Sequence, residues 1–466
     1  MTLIKSISGI RGTIGGVSGS NLTPYDLLKF SLAYGAWLKQ ERPNKRLKVV
    51  IGRDARVSGL MLRDLLVSSF TSIGIDVVDI GLSSTPTTEL AVTELSADGG
   101  IILTASHNPM QWNALKLLNS SGEFLSDSEG QALYALAAKE DFLAEYAFAD
   151  VHSLGNVSIQ HQMLDYHIQL IKTLPYLNLQ AIEAAQFTVA IDGVNSVGGI
   201  AVPALLVALG VKHIVELHCE PTGIFAHNPE PLPEHLTEIS QVVKDSEAHV
   251  GFVVDPDADR LAIINEDGTM FGEENTLIAI ADYLLEQRKG NAVSNLSSSR
   301  GLRDICRKHG VDYAAAAVGE VNVVKVMKET NALIGGEGNG GVILPELHYG
   351  RDALVGIALF LSYMAEKQLR PTQIKAGLPS YFISKNKMDI PVKMDMVALQ
   401  HALEDHYAEA SFTTIDGIKI DFPDRWVHLR KSNTEAIIRI YAEAPSQREA
   451  EALAQEIISF ANSKFA

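Results

Sequence analysis

The sequence is poor in cysteine and in long apolar runs. Cys219 and Cys306 are the only cysteines among 466 residues, and their separation fits neither a metal site nor a disulfide framework. We interpret both as ordinary buried or half-buried thiols. No apolar run approaches the roughly 18 residues that a membrane-spanning helix needs. The first residues, numbers 1–6, lack the apolar segment of a signal peptide, so we expect a soluble cytoplasmic protein.

Positive charge is also scarce in this sequence. The chain has 39 Lys and Arg against 56 Asp and Glu, which gives a formal net charge of −17. Binding to nucleic acid or to an anionic membrane needs a basic face, so neither partner is expected. A phosphorylated small molecule stays compatible with this balance, because a few clustered cations suffice to hold one. The length allows roughly three or four domains.

Short apolar runs that end in polar or glycine-rich loops recur along the chain. Residues 99–103 predict a buried strand that leads directly into the loop 104–109, with the sequence TASHNP. Residues 250–254 end in an acidic loop, and residues 332–335 enter a run of glycines. Helical stretches between such runs predict βαβ units and a largely parallel sheet. Because open α/β sheets bind ligands at the carboxyl ends of their strands, these loops are candidate sites.

The recurrence predicts an α/β protein with an internal repeat. We expect three similar mixed α/β domains in tandem, with their loops facing a common central cleft. From about residue 369 the pattern changes to α+β, which predicts a separate smaller domain at the C-terminus. The predicted domain boundaries are 1–150, 151–254, 255–370 and 371–466.

An acidic triplet follows the predicted strand 250–254. Asp255, Asp257 and Asp259 lie at alternating positions, and three such carboxylates repel one another unless a cation lies among them. Mg²⁺ prefers hard oxygen ligands of this kind and often shares its shell with a phosphate. The neighbouring Arg260 would balance a phosphate charge. A solvated acidic turn is the alternative.

Two further loops have the composition of sugar and phosphate sites. Glu337 and Asn339 lie among five glycines, whose bare backbone lets a ligand approach while the two side chains contact adjacent hydroxyls. Cations and short polar side chains on a later strand-to-strand loop suit phosphate oxygens: Arg430, Ser432, Asn433 and Thr434, with Arg439 further on. A flexible loop and a solvated turn are the respective alternatives.

Ser106 is the residue around which the functional hypothesis is organised. We expect it to carry a phosphoryl group, with His107 and Lys116 as further candidate catalytic groups. A hydrolase triad is not indicated, because Ser106 and His107 are neighbours in sequence and no GxSxG motif occurs. Lys116 would act as general base or acid if its neighbours lowered its proton affinity. The glycines on either side of Arg11 would let its side chain place one positive charge close to a ligand.

Taken together, these motifs resemble those of the α-D-phosphohexomutases, a family that includes phosphoglucomutase, phosphomannomutase and phosphoglucosamine mutase. The resemblance covers nearly the whole chain and assigns each loop a counterpart: residues 104–109 resemble the phosphoserine loop, 255–259 the Mg²⁺ loop, 336–340 the sugar loop, 430–434 the phosphate loop, and 8–12 an early motif with Arg11. It implies that Ser106 is phosphorylated and binds Mg²⁺ together with the three aspartates, and that Lys116 is the general base or acid.

The resemblance also implies a reaction. Phosphoserine gives its phosphoryl group to a hydroxyl of a hexose phosphate, the resulting hexose 1,6-bisphosphate turns over, and its other phosphoryl returns to Ser106. Phosphoryl transfer needs in-line positioning and neutralised charge, which Mg²⁺, Arg260, Arg11 and Lys116 would supply. The enzyme would be a monomer or a homodimer.

The identity of the sugar is the least constrained point. Asn339 stands where several bacterial members carry Ser, and Gly341 stands where some carry His, so we ask whether His348 replaces that histidine. We favour a phosphoglucosamine mutase over a dual phosphomannomutase/phosphoglucomutase. A phosphatase that uses the same phosphoserine and a non-catalytic sugar-phosphate binding protein are the alternatives from other classes.

Overall fold

The computed structural model divides the chain into two compact units. It describes residues 2–6, 9–139, 142, 147–390, 395–431 and 437–465. The first unit comprises Met1–Thr276 and Asn339–Lys375, and the second comprises Leu277–Gly338 and Ala376–Ala466. The four domain boundaries predicted from the sequence are a finer division than these units, and they stay a prediction.

The first part of the chain builds one large mixed sheet. Its elements are β1 (Ile4–Ser6), β2 (Gly9–Thr13), α1 (Pro24–Glu41), β3 (Lys48–Arg53), α2 (Gly59–Ser72), β4 (Asp76–Leu82), α3 (Thr85–Glu94), β5 (Gly99–Leu103), β6 (Trp112–Leu118), α4 (Asp127–Ala137) and β7 (Val157–Ile159). The strand order is β1-β2-β6-β5-β3-β4-β7. Strand β3 is parallel to β4 and β5, whereas β6 is antiparallel to β5. Ser126 caps α4, as its position before that helix predicts.

A second α/β stretch follows, and all of it up to the start of its last helix lies in the same unit. It contains α5 (Met163–Thr173), α6 (Leu179–Ala185), β8 (Thr188–Asp192), α7 (Gly198–Ala208), β9 (His213–Leu217), a 3₁₀ turn (Pro233–His235), α8 (Thr237–Asp245), β10 (Val250–Val254), β11 (Leu261–Asn265) and α9 (Glu273–Gln287). Its sheet has the order β11-β10-β8-β9, with β8 parallel to both β9 and β10. All five residues of β10 are buried, as expected for an apolar strand covered on both faces.

The remaining elements complete both units. They are β12 (Ala292–Asn295), α10 (Gly301–His309), β13 (Tyr313–Ala316), α11 (Glu320–Thr330), β14 (Ile334–Glu337), β15 (Gly341–Ile343), α12 (Ala353–Lys367), α13 (Pro371–Ala376), β16 (Phe382–Asp389), α14 (Met396–His406), β17 (Ser411–Thr413), β18 (Ile418–Asp421), β19 (Trp426–Lys431), β20 (Ile437–Ala444) and α15 (Gln447–Phe465). Strands β13, β12 and β14 are parallel, and the C-terminal sheet is antiparallel in the order β16-β20-β19-β18-β17.

One strand order occurs three times in the α/β part of the chain. The parallel neighbours are β5-β3-β4, then β10-β8-β9, then β14-β12-β13, so the first strand of each set always lies between the second and the third. In each set the third strand delivers a candidate loop: β5 leads to Ser106, β10 leads to Asp255, and β14 ends at Glu337. The prediction of three similar mixed α/β domains followed by a different C-terminal domain is confirmed.

Some element boundaries differ from those predicted. Strand β16 begins at Phe382, whereas the sequence predicts a strand from Met388 to Val392. The reason is that β16 is an edge strand with polar residues along much of its length, so its apolar pattern is weak. Helix α14 ends at His406, four residues before the predicted end. Among the described residues, no helix is both long and apolar enough to cross a membrane.

Candidate active site

Ser106 lies at a sharp turn directly behind β5. Its backbone has φ of +47°, a left-handed conformation that is uncommon for a residue with a side chain. The Ser106 N–H donates to Oγ1 of Thr104 at 2.9 Å, and its hydroxyl donates to Oδ2 of Asp255 at 2.6 Å. The turn therefore presents the serine oxygen to the acidic loop behind β10.

The buried Arg56 holds this turn in place. Asp54 fixes its guanidinium, with 3.0 Å between Asp54 Oδ2 and Arg56 Nε. The two Nη atoms donate to four backbone carbonyls, those of Ser106, Asn108, Pro109 and Trp112. This role of Arg56 was not predicted from the sequence. The only signal for it is that Arg56 lies in the polar loop directly behind strand β3.

The three aspartates converge as the sequence predicts. Asp255, Asp257 and Asp259 are fully buried, and one carboxylate oxygen from each lies within 4.8 Å of the others. Oδ1 of Asp255 accepts the backbone N–H groups of Asp259 and Arg260, at 3.2 and 3.1 Å. Burial and the two neighbouring carboxylates raise the pKa of Asp255 well above its usual range. This loop thus concentrates negative charge that a cation would relieve.

Two carboxylate oxygens of the triplet lack a hydrogen-bond partner. Oδ1 of Asp257 and Oδ1 of Asp259 are buried, and no donor among the described residues lies within hydrogen-bond distance of either atom; Arg260 Nε lies 3.9 Å from Asp259 Oδ1. A buried carboxylate oxygen without a donor is costly in free energy. Hard carboxylate oxygens that converge from three buried residues are the donors that Mg²⁺ takes, so the residues present fit this ion.

Lys116 and Arg351 flank the triplet. The Lys116 ammonium lies 2.6 Å from Asp257 Oδ2 and 3.3 Å from Asp259 Oδ2, and Arg351 Nη2 lies 2.7 Å from the same Asp259 oxygen. Burial opposes the charge of Lys116, but the two carboxylates outweigh it and hold the pKa of Lys116 above its usual range. The neighbours therefore raise its proton affinity, the opposite of the condition under which the sequence predicts a general base.

Arg351 is another residue whose place sequence reasoning missed. Its side chain lies over Gly341, so that a Cβ added at Gly341 would be 2.3 Å from Cδ of Arg351. Gly341 is the position where some phosphohexomutases carry histidine, and in this chain the space above it belongs to an arginine. The glycine at position 341 indicates that another side chain fills the space of the histidine, but the sequence does not show which one.

His107 and the other predicted cations lie around the same turn. Nδ1 of His107 is 3.3 Å from Ser106 Oγ. Burial lowers the pKa of His107 well below its usual range, and the charges of Arg260, Arg351 and Arg11 act in the same direction. A neutral imidazole therefore faces the serine oxygen. Arg11 lies on β2 opposite Ala114, on the strand that carries Lys116.

Glu337 and Asn339 belong to different units. Glu337 lies in the second unit, where its Oε1 accepts from Asn295 Nδ2 at 2.8 Å and from the Gly319 N–H at 3.1 Å. Asn339 lies in the first unit, and its Oδ1 accepts the Gly341 N–H at 3.2 Å. Glu337 is buried at the end of β14, so the flexible-loop alternative does not describe it.

The predicted phosphate loop is described only in part. Ser432, Asn433 and Thr434 lie outside the described residues. Arg430 and Arg439 are direct cross-strand partners on β19 and β20, and Lys387 of β16 is the next partner in the same row. Because opposite residues of a sheet point to the same face, three cations line one row at this end of the sheet. Lys387 was not predicted.

His348 does not take the place of the missing sugar-loop histidine. Its Nδ1 lies 3.1 Å from Glu89 Oε2 and its Nε2 lies 3.3 Å from Asp352 Oδ2. Burial opposes the imidazolium charge, but these two carboxylates outweigh it and raise the pKa of His348 to about 10. Both ring nitrogens therefore serve a buried ion pair, which leaves neither for a sugar.

Successive parts of the chain match models of one known protein family. The chain matches four family models, described as phosphoglucomutase/phosphomannomutase alpha/beta/alpha domains I, II and III and the C-terminal domain, over residues 3–144, 165–268, 273–381 and 389–459. The chain belongs to the phosphoglucomutase/phosphomannomutase family. The predictions of a phosphohexomutase, of an intramolecular phosphotransferase and of the four-domain architecture are confirmed.

Relatives within the phosphohexomutase family carry different substrate names. A phosphoglucomutase/phosphomannomutase of Thermococcus kodakarensis is 35% identical over 94% of this chain and 95% of its own length. A phosphoglucosamine/phosphogalactosamine mutase of Sulfurisphaera tokodaii is 31% identical over 96% of this chain and 97% of its own. These names span both sugar assignments considered from the sequence.

Solved structures of phosphohexomutases share the fold. A Burkholderia thailandensis protein of the phosphoglucomutase/phosphomannomutase family aligns with a TM-score of 0.83 and 25% identity over 99% of this chain and 98% of that chain. A more distant neighbour, with a TM-score of 0.57 and 14% identity over 92% of this chain and 85% of that chain, is an Aspergillus fumigatus N-acetylphosphoglucosamine mutase in complex with GlcNAc-6P and magnesium.

Proposed function

We propose that this phosphohexomutase moves a phosphoryl group between the 1- and 6-positions of a hexose phosphate through phosphorylated Ser106. One observation carries the proposal: the Ser106 hydroxyl lies 2.6 Å from Asp255, within a loop of three buried carboxylates. An ordinary loop serine would not need this setting. The three carboxylates around it repel one another, and two of their oxygens have no hydrogen-bond partner among the described residues. A cation bound by the three carboxylates, together with a phosphoryl group on Ser106, would account for this arrangement.

Mg²⁺ is the ion that suits this set of ligands. Asp255, Asp257 and Asp259 would hold it together with an oxygen on Ser106. When bound, Mg²⁺ supplies positive charge that stabilises the transferring phosphoryl group. The protein's own cations act on the same charge, since Lys116 and Arg351 contact the carboxylates that line the site.

The proposed reaction has two balanced half-reactions. First, a free hydroxyl of the hexose phosphate attacks the phosphorus on Ser106. The bond between phosphorus and the serine oxygen breaks, the sugar hydroxyl loses its proton, and the serine oxygen regains one. The product is a hexose 1,6-bisphosphate. After this intermediate has turned over, the Ser106 hydroxyl attacks the other phosphoryl group and loses its proton. The bond between phosphorus and the sugar oxygen breaks, that oxygen gains a proton, Ser106 is phosphorylated again, and the isomeric hexose monophosphate is released.

His107 and Lys116 are the candidate proton carriers. The neutral His107 lies 3.3 Å from Ser106 Oγ, so it is placed to hold or move a proton at that oxygen. Lys116 contacts the carboxylates of Asp257 and Asp259, and Arg351 contacts that of Asp259. We propose that Lys116 donates a proton to the reacting sugar oxygen or accepts one from it. Arg11 and Arg260 add positive charge around the turn.

The sugar and its distal phosphate need further contacts. We propose that Glu337 and Asn339 contact sugar hydroxyls and that the distal phosphate binds the row on the C-terminal sheet. The proposed phosphate contacts are Arg430, Ser432, Asn433, Thr434 and Arg439. Support comes from the cross-strand pairing of Arg430 with Arg439, which lines up two cations beside the loop 432–434.

Two sugar assignments have support from relatives. The 31% identical glucosamine/galactosamine mutase supports glucosamine phosphate, the sugar favoured by the sequence. The 35% identical phosphoglucomutase/phosphomannomutase supports glucose and mannose phosphates as the second candidate. We keep glucosamine phosphate first, and a substrate panel decides between them.

The test is an assay with Mg²⁺, a catalytic amount of hexose 1,6-bisphosphate, and each of glucosamine 6-phosphate, glucose 1-phosphate and mannose 1-phosphate. We expect isomerised sugar phosphate as the product and no activity in Ser106→Ala, while Ser121→Ala, an exposed serine, keeps wild-type activity. Comparable turnover of all three sugars would replace the glucosamine assignment by the dual one. Free inorganic phosphate as the main product would establish a phosphatase instead.

A further inference from the structure

A second group of metal-ligating side chains lies outside the Asp255 loop. Asp192 is the last residue of β8, His218 directly follows β9, and His227 comes from the proline-rich loop before α8. Oδ2 of Asp192 lies 3.2 Å from Nδ1 of His218 and 3.1 Å from Nε2 of His227. These three atoms all lie within 4.8 Å of one another. Three separate segments thus bring two imidazoles and one carboxylate to a single point.

The spacing of these atoms suits a small transition-metal cation. Bonds from Zn²⁺ to imidazole nitrogen and to carboxylate oxygen are about 2.0–2.2 Å, so neighbouring ligands of a tetrahedral site lie roughly 3.3–3.5 Å apart. The two distances from Asp192 therefore need to change by only a few tenths of an ångström. Imidazole ligands also favour Zn²⁺ and similar ions over Mg²⁺, which takes oxygen ligands.

The outer polar atoms of Asp192 and His227 are hydrogen-bonded, and that of His218 lies at ion-pair distance from a carboxylate. Nδ1 of His227 lies 2.8 Å from the carbonyl oxygen of Asn228, which leaves Nε2 facing the cluster. Nε2 of His218 lies 3.6 Å from Oε2 of Glu238, which leaves Nδ1 facing it. The second oxygen of Asp192 accepts the Val194 N–H at 2.9 Å. Support of this kind orients the ligands of metal sites in proteins.

A comparison within the chain separates this group from a simple ion pair. His167, His348 and Asp352 form a similar group of two imidazoles and one carboxylate. There, however, both ring nitrogens of His348 face carboxylates, and the side chains of His167 and His348 are only 0% and 10% exposed. In the Asp192 group the side chains of His218 and His227 are 17% and 16% exposed, which gives an ion a path of entry and room for water ligands.

We propose that Asp192, His218 and His227 form a second metal site, which binds a divalent transition-metal cation of the Zn²⁺ type. The ion joins the ends of β8 and β9 to the loop that carries His227. Its ligands are distinct from those of the Asp255 loop, and it takes no part in the phosphoryl transfer proposed there. Water molecules complete the coordination on the exposed side.

The loop that contributes His227 also touches the support of Ser106. The Phe225 ring lies 5.0 Å from Cζ of Arg56, the arginine that donates to the Ser106 carbonyl. Gly223 packs so closely that an added Cβ would be 1.9 Å from the Ala55 carbonyl oxygen. An ion at His227 therefore fixes a segment that packs on the base of the phosphoserine turn. The second site would order this segment without contacting the substrate.

The test is calorimetric titration of the full-length protein with Zn²⁺ in the presence of excess Mg²⁺. We expect one Zn²⁺ per chain, at least tenfold weaker binding in His227→Ala and His218→Asn, and unchanged binding in His152→Ala, which removes an exposed histidine. Two variants are used so that the test does not depend on the folding of either one, and thermal melting of each without Zn²⁺ reports on its fold. Asn is chosen at 218 because φ there is +50°.

A second readout identifies the ligands directly. Co²⁺ added in place of Zn²⁺ should give a visible absorption band typical of nitrogen ligands, and this band should be lost in His227→Ala. Failure of the wild-type protein to bind Zn²⁺ in excess Mg²⁺ would overturn the proposal. So would Zn²⁺ binding that persists in both histidine variants and disappears in Asp255→Asn, because the ion would then occupy the acidic loop. Neither outcome depends on mutase activity.

Discussion

Two buried clusters of charged side chains in the first unit differ in what their polar atoms contact. In the cluster around His348, each ring nitrogen of His348 contacts a carboxylate. One oxygen of Asp352 contacts His167 and His348, and the other caps α12. In the Asp255 loop, by contrast, three carboxylates converge and two of their oxygens have no hydrogen-bond donor among the described residues.

The difference teaches how a structural cluster is told from a functional one. In the His348 cluster the carboxylates of Glu89 and Asp352 face a positively charged imidazole, and its residues come from α3, α5 and the start of α12. In the Asp255 loop, two carboxylate oxygens have no hydrogen-bond donor among the described residues, even though Lys116 and Arg351 contact the same carboxylates. Burying charge without full compensation costs free energy, so such an arrangement indicates a ligand that completes it.

The largest expected effect breaks the functional cluster without harming the fold. Asp255→Asn should lower kcat roughly 10²–10³-fold, the range seen when one charge-stabilising group is removed from an active site. Thermal stability should stay near wild type, because the substitution removes one of three repelling carboxylates and keeps an oxygen for the backbone donors. Steady-state kinetics and thermal melting of the same sample check both halves. A large loss of stability would contradict the assignment of Asp255 to function.

Arg351 should have the next largest effect on activity. Arg351→Ala should lower kcat/KM about 10- to 100-fold, as is typical when a residue that supports a metal ligand is lost. The expected cause is that Asp259 loses a contact of 2.7 Å. Arg370→Ala, at an arginine outside the site, is the matched control.

A double variant sharpens the role of Arg351. Gly341→His should destabilise the protein, because the new side chain would collide with the Arg351 stem. Combining it with Arg351→Ala should recover stability relative to Gly341→His alone. If the two substitutions simply add in thermal melting, the two positions do not compete for one space.

The structural cluster should respond in the opposite way to the functional one. Asp352→Asn should lower the free energy of unfolding by about 3–5 kcal/mol, since it removes one partner of a buried ion pair. The variant still caps α12, because Asn retains a side-chain oxygen. Urea unfolding measures the change, with the exposed Asp245→Asn as the control. A variant as stable as wild type would show that this cluster does not serve the fold.

The last expected effect, which develops only across several pH units, is a pH dependence of stability from His348. Its pKa is raised from 6.5 to about 10, so its contribution is complete below pH 6.5 and declines as the pH rises through 10. Urea unfolding between these limits should show wild type losing stability relative to His348→Gln. A constant difference between the two proteins across this range would rule out a charged His348 in the folded state.

The sequence predicts those parts of the site that come from neighbouring residues. Ser106 and the aspartates each follow a short apolar strand, so their spacing and the strand pattern together place them at carboxyl ends of a sheet. The three parallel strand sets share one order, which is why the same reasoning succeeds at β5, β10 and β14. Local pattern and chemistry agree at these points.

Contacts between distant residues could not be predicted in this way. Arg351 covers Gly341 because the chain turns back after β15. The identity of neither residue predicts this contact. The high proton affinity of Lys116 depends on Asp257 and Asp259, which are far away in sequence. Arg56 reaches four carbonyls through a side-chain path that only packing defines.

The central claim is that Ser106 gives and takes back a phosphoryl group. The most direct measurement is intact-mass analysis, with fragmentation to locate the group, after incubation with hexose 1,6-bisphosphate and again after addition of excess hexose monophosphate. We predict one phosphoryl group on Ser106 that leaves the protein and appears on the sugar. A phosphoryl group on another residue, or an unmodified Ser106 in an enzyme that isomerises at full rate, would contradict the account.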